Sequence, residues 1–274
     1  MSVAVDLSGV PETLLWTLYH RAEEARRPDA VLSDPLAVSL VDRIDYPFSR
    51  FGATPWRARW QALRALRFDM EVRRFMEARP GCTVVALGEG LETQFWRVDD
   101  GRVRWVTVEL PEVVSAVGGL LPSSDRRRVV SGSALESGWL DAVAGPDVMV
   151  TAQGLLMYFA RADADALITR VAGALPGGAM VFDTVPFWAS KATTSGKMQT
   201  ADGYKPPPMP WGSGLREASR VAALSPAIRD VHRLLLPRAD DRAFGLVAPA
   251  LQRVAPALMP QILALRFAER QLRQ

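Results

Sequence analysis

The chain has very little of the residues that build metal centres and disulfides. Of 274 residues one is cysteine, Cys82, and two are histidine, His20 and His232. A lone cysteine excludes an intramolecular disulfide and zinc sites of the clustered-cysteine type, and no metal is expected. Lysine is nearly absent. Of 33 basic residues three are Lys (Lys191, Lys197 and Lys205), and the arginines are spread from Arg21 to Arg273 instead of being massed on one segment. With a net charge of +3, that scatter argues against a nucleic-acid partner. Arg126-Arg127-Arg128 is the one basic cluster and reads as a solvated loop before a strand. No apolar run approaches the roughly 18 residues of a membrane span, and the N-terminus carries no basic region ahead of a long apolar stretch. A soluble, cytoplasmic protein is expected, with no membrane partner. The 49% hydrophobic and 23% charged residues are ordinary for a folded globular chain.

Two textures follow one another. Residues 12–44 carry helical apolar spacing through Leu14, Leu15, Leu18, Tyr19 and Ala22, break at Pro28-Asp29, and resume as a short helix from Asp34-Pro35 to Val41. Residues 56–79 predict another amphipathic helix, stopped by Pro80-Gly81. Residues 1–80 are thus expected to be a helical cap on the same domain. From Gly81 the chain turns to short apolar runs at 82–88, 103–110, 127–134, 147–154 and 179–185, the rhythm of a wound βαβ sheet whose strands are buried on both faces. Residues 186–215 interrupt it with a stretch rich in Pro, Gly, Ser and Thr, read as a lid after the fifth strand. A helix near 215–224, a strand at 231–236, a helix near 241–253 and a strand at 262–267 complete a seven-stranded, Rossmann-like α/β sheet, the last two strands pairing like a hairpin. Residues 81–274 form its core.

The first strand ends in Gly88-Glu89-Gly90, where side chains would block a ligand's approach to the backbone amides. Thr93 stands where a dinucleotide fingerprint has its third glycine, and no Tyr-x-x-x-Lys pair is present, so a nicotinamide oxidoreductase is disfavoured. Glu109 closes the second strand, 19 residues beyond Gly90, where a carboxylate accepts both hydroxyls of a ribose. Ser133 and Ala134 end the third strand, where they can meet an adenine edge, and Gln153 and Gly154 at the end of the fourth lie on the same rim. Together these point to a nucleoside ligand.

The stretches "RAEEARRPDAVLSDPLA" (21–37), "RALRFD" (64–69), "ALGEGLETQFWR" (86–97), "TVELPEVV" (107–114), "GSALESGWLDAV" (132–143), "TAQGLLMYF" (151–159), "PPPMPWG" (206–212) and "ILALRF" (262–267) resemble the class I S-adenosylmethionine (SAM) dependent methyltransferases of the leucine carboxyl methyltransferase type. The likeness extends to the bacterial branch that includes the tetracenomycin polyketide carboxyl O-methyltransferase. It implies SAM as cofactor, S-adenosylhomocysteine (SAH) as product, and methylation of a carboxylate, or less readily a phenol, on a small aromatic or polyketide-like metabolite. It assigns Arg64 to the carboxylate of the SAM methionine moiety, passes Gly88 and Gly90 under the cofactor, and offers Arg67 and Arg21 as further candidates for the carboxylate and for a substrate acid. Gln153 departs from the Glu that the family often has there, and cannot serve as a base.

A carboxylate acceptor is ionised at pH 7 and needs no base, whereas a phenol with a pKa near 10 would draw attention to His20, Tyr19, Tyr158 or Tyr204. Tyr19, Arg21, Phe187, Tyr204 and Met209, with Met198, are candidates for acceptor binding; Trp188 and Trp211 read as packing residues. A protein C-terminal carboxylate, a nitrogen acceptor, or a SAM-binding scaffold without catalysis remain open alternatives.

Overall fold

The computed structural model describes residues 3–52, 54–200, 203–238, 247 and 250–269. A two-residue strand β1 (Val3–Ala4) leads to helix α1 (Thr13–Ala25) and helix α2 (Pro35–Arg43), which runs into β2 (Ile44–Asp45), parallel to β1. Asp34 caps α2 by accepting from the Ala37 amide at 3.0 Å, and Pro35 follows at the first helical position, where its missing N–H costs nothing. Helix α3 (Pro55–Ala78) repeats the device with Thr54 and Pro55. These three helices are the expected N-terminal helical segments.

Strands β3 (Thr83–Leu87) and β4 (Arg104–Glu109) enclose the short helix α4 (Gln94–Val98); helix α5 (Pro111–Val117) leads to β5 (Arg127–Ser131), then β6 (Val148–Ala152), helix α6 (Arg161–Ala174) and β7 (Ala179–Pro186). After β7 come helix α7 (Phe187–Thr194), a two-residue strand β8 (Gly212–Ser213), helix α8 (Glu217–Ala222), β9 (Ile228–Leu234) and β10 (Gln261–Phe267). The sheet runs β5-β4-β3-β6-β7-β10-β9, and β8 pairs beside the end of β7. The first five strands are parallel, and β10 lies antiparallel between β7 and β9. All seven expected strands are present within a few residues, and β9 and β10 are the expected antiparallel pair.

The period-2 alternation of the strands divides the core into two layers. Val85, Leu87, Val150, Met180 and Phe182 point to one face and pack against Leu167, Ile168 and Val171 of α6. Val84, Ala86, Trp105, Met149 and Val181 point to the other, against Phe68, Val72 and Phe75 of α3. The third expected strand ends at Ser131 instead of 134, which leaves Ser133 and Ala134 in the loop beyond it. The expected lid is more ordered than its composition indicates: residues 187–194 form α7, and 212–213 join the sheet. The helix expected over 241–253 falls largely outside the described residues, of which 250–254 are helical. Among the described residues no helix is long and apolar enough to cross a membrane.

Candidate active site

The strand order reverses direction at β3, where β4 lies on one side and β6 on the other, so the chain leaves the carboxyl ends of β3 and β6 in opposite senses and opens a crevice between them. A cavity of about 320 Å3 occupies that edge. All eight residues expected to bind the cofactor line it: Arg64, Gly88, Gly90, Glu109, Ser133, Ala134, Gln153 and Gly154.

Gly88 and Gly90 adopt φ of 59° and 56°, in the left-handed region that glycine enters without strain. A Cβ on Gly90 would stand 2.8 Å from the Cβ of Leu14, and one on Gly88 would stand 2.7 Å from a terminal methyl of Leu155. The turn is tied to the second strand by Glu109, whose Oε2 accepts from the Gly90 amide at 2.7 Å while Oε1 accepts from the Leu110 amide at 2.9 Å. Burial pushes the Glu109 carboxyl above its ordinary range, against the pull of those two amides. Glu89, between the glycines, turns away from the turn: it accepts from Trp105 Nε1 and Thr107 Oγ1 and faces Arg127 at 3.5 Å.

Arg64 reaches the same rim from α3. Its Nη1 pairs with Oδ2 of Asp183, on β7, at 2.9 Å, and Asp183 Oδ1 accepts from the Gly154 amide at 2.6 Å. Gln153 Nε2 donates to Glu92 Oε2 at 3.1 Å. Two polar atoms of this rim, Arg64 Nε and Gln153 Oε1, are buried without a hydrogen-bond partner. An unmet donor beside an unmet acceptor fits the carboxylate and ammonium of an amino-acid tail, as Glu109 fits a ribose. Among the described residues no group of three or more His, Cys, Asp or Glu is placed to hold a metal ion.

Several candidates lie elsewhere. Arg21 is sealed beneath the cavity wall, 1% exposed, pairing with Asp34 and Glu92 and donating to the Leu91 carbonyl at 2.8 Å. Its charge is spent on a buried network in which Arg97 also contacts Asp34, Asp69 and Glu92. Burial opposes charge on Glu92, but Arg21 and Arg97 prevail and hold its carboxyl at about 2. Arg67 pairs along its own helix with Glu71 and does not reach the cavity. His20, on α1, is fully buried, its Nδ1 donating to the Trp16 carbonyl one turn earlier, and burial lowers its pKa to about 4. Tyr19 stacks on Phe48, and Tyr204 packs edge-on against Phe51 and Trp16 in the same N-terminal core. Phe187 and Trp188 are more than half exposed, Trp188 donating to the Leu258 carbonyl, whereas Trp211 is buried against Phe182 as a packing residue.

Met209, Met198 and Tyr158 do line the cavity, joined by Trp16, Met157 and Phe159 in a largely apolar wall. The Tyr158 hydroxyl is pushed up to about 12, chiefly by burial. Asp183 and Glu92 carried no mark in the sequence. Asp183 lies 119 residues from Arg64 inside an apolar strand, where a charged residue at the carboxyl end was the one available signal.

No family model matches the chain. The tetracenomycin polyketide synthesis O-methyltransferase TcmP of Streptomyces glaucescens is 32% identical over 275 residues, covering 100% of this chain and 99% of that protein. The S-adenosyl-L-methionine-dependent methyltransferase dpfgK of Gibberella zeae is 28% identical over 185 residues, 61% of this chain and 62% of that protein. Among solved structures, a Bordetella parapertussis protein described as a possible exported protein shares the fold, with a TM-score of 0.50 at 14% identity over 94% of this chain and 97% of that one.

Proposed function

The chain belongs to the class I SAM-dependent methyltransferases, and from that premise we propose that it methylates an oxygen of a small polyketide-like acceptor, a carboxylate in preference to a phenol. The cofactor supplies an electrophilic methyl on a sulfonium. What the protein contributes is binding, orientation and the exclusion of water.

In this reading Glu109 holds the ribose. A carboxylate offers about four lone-pair sites, and the amides of Gly90 and Leu110 use two, leaving two for the ribose hydroxyls. Ser133 and Ala134 face the adenine. Arg64 holds the methionine carboxylate with the donors that Asp183 leaves free, and Gln153 Oε1 accepts from the ammonium. Met157, Tyr158, Phe159, Met198 and Met209, with Trp16, form the apolar wall against which a flat acceptor lies, and Ala189, Met198 and Met209, with α1, keep water from the reacting atoms.

One observation carries the choice of acceptor oxygen: among the described residues, every carboxylate lining the cavity is already held by donors of the protein. Glu89 is engaged by Trp105, Thr107 and Arg127, Glu92 by Arg21 and Arg97, Glu109 by two amides, and Asp183 by Arg64 and Gly154. Tyr158, at about 12, keeps its proton at neutral pH. A phenol with a pKa near 10 is ionised to about one part in a thousand at pH 7 and wants a base, whereas a carboxylic acid arrives as the nucleophile. Matched acceptors test this: an aromatic polyketide-like acid and the analogue with a phenol in place of the carboxyl, assayed from pH 6 to 9. Turnover of the acid with a nearly flat profile supports the reading. Faster turnover of the phenol overturns it.

A further inference from the structure

Asp183 stands at the carboxyl end of β7, a strand held on both sides by β6 and β10, with Ile262 as its partner in register on β10. The residue is 3% exposed and both side-chain oxygens are committed, Oδ2 to Arg64 at 2.9 Å and Oδ1 to the Gly154 amide at 2.6 Å. Arg64 itself comes from α3, the helix packed on the sheet face that Val181 and Asp183 share, with four side-chain torsions between its backbone and its guanidinium. A side chain of that length loses considerable rotamer freedom in reaching one fixed point, so its aim depends on what anchors its tip. Gly154 completes the anchorage: a Cβ there would stand 3.0 Å from Arg64 Nη1, so the guanidinium rests on the bare backbone of this turn.

We infer that Asp183 is a positioning residue for cofactor recognition: it fixes the Arg64 guanidinium and the Gly154 turn together, so that the free donors of Arg64 face the amino-acid end of the cofactor. This rests on the assignment of Arg64 to the cofactor's carboxylate. The carboxylate of Asp183 also balances the Arg64 cation before any ligand arrives, which an isolated buried guanidinium would require. Neither residue need move when the ligand binds, and recognition is thereby pre-organised.

The test separates this role from mere structural support by using two ligands that share the nucleoside and differ in the tail. SAH carries the amino acid, and 5′-methylthioadenosine lacks it. Calorimetric titration of Asp183→Ala with each should show the SAH dissociation constant raised by about tenfold or more, the loss of one charge-assisted contact, with the methylthioadenosine constant within about twofold of wild type. Asp183→Asn, which keeps an acceptor oxygen, should recover part of the loss. Equal weakening of both ligands, no change in either, or tighter SAH binding would overturn the inference. Should Asp183→Ala fail to fold, the ratio of the two constants is read in Asp183→Asn, and a ratio unchanged within about twofold overturns it. Arg64→Ala is titrated in parallel. If it leaves SAH binding intact, the assignment of Arg64 falls; if it weakens SAH selectively while the Asp183 variants do not, the positioning role alone falls.

Discussion

Replacing Glu109 with alanine perturbs the nucleoside end of the cavity at a point where the structure permits a magnitude. The side chain is buried and accepts from two backbone amides at 2.7 and 2.9 Å, one of them the amide of Gly90 in the turn itself. Alanine removes the acceptors for the ribose hydroxyls and strands the Gly90 amide. Hydrogen bonds to a charged group contribute about 1.5–3 kcal/mol net, and the two hydroxyl contacts act as a unit, so the loss is placed at about 1.5–3 kcal/mol in all. That corresponds to an SAH dissociation constant about 12 to 150 times larger. The assay is calorimetric titration at pH 7.5. The titration has a second dimension in pH. Burial raises the Glu109 carboxyl above the ordinary glutamate range, and the ionised form is the better acceptor. Wild-type affinity should therefore fall as pH is lowered through that raised value, and Glu109→Gln should flatten this fall. A Glu109→Ala protein that binds SAH within twofold of wild type would refute the reasoning.

The glycine turn, the buried histidine and the buried arginine each yield a further expectation. Gly90→Ala should cost about 2–4 kcal/mol of stability and weaken SAH binding more than Gly88→Ala, because its new Cβ meets the Cβ of Leu14 at φ 56°, whereas that of Gly88 meets only a movable methyl of Leu155; thermal unfolding and titration of both variants check the order, and a reversed order contradicts it. His20 is held neutral, its pKa lowered from 6.5 to about 4, so the unfolded chain takes up its proton first as pH falls and stability is lost between about pH 6.5 and 4, by about 3 kcal/mol in all. Denaturant titrations of His20→Gln should show that part of the acid loss removed, and an unchanged pH dependence would contradict it. Arg21→Met should destabilise by about 3–5 kcal/mol by leaving Asp34 and Glu92 buried with one cation fewer. A stable Arg21 variant whose sole defect is a raised KM for the acceptor would restore Arg21 to the substrate.

Strands and ligand-facing loops were legible because parallel strands buried on both faces read as unbroken apolar runs, and because residues at strand ends keep their place in the fold whatever packs around them. Gly88, Gly90, Glu109, Ser133, Ala134, Gln153 and Gly154 share that property, and all line one cavity. Side chains on helices were less legible. Arg21, Arg64 and Arg67 look alike in sequence, yet one is buried in a charge network, one reaches the cavity and one pairs along its own helix, since the face each presents is decided by tertiary packing. The aromatics after β7 divided for the same reason: composition marked Phe187, Trp188, Tyr204 and Trp211 as packing or binding residues, and the path of the chain left the first two largely exposed. The pairing of Asp183 with Arg64 could not be read at all, because nothing local relates residues 119 apart.

The central claim is methyl transfer from SAM to a carboxylate, and the bond formed is its most direct witness. The purified protein is incubated with SAM labelled in the methyl group and an aromatic polyketide-like acid that also carries phenols, and the product is treated with mild base. Release of the label as methanol identifies a methyl ester and is the predicted result; label that survives as a base-stable methyl ether would contradict the account.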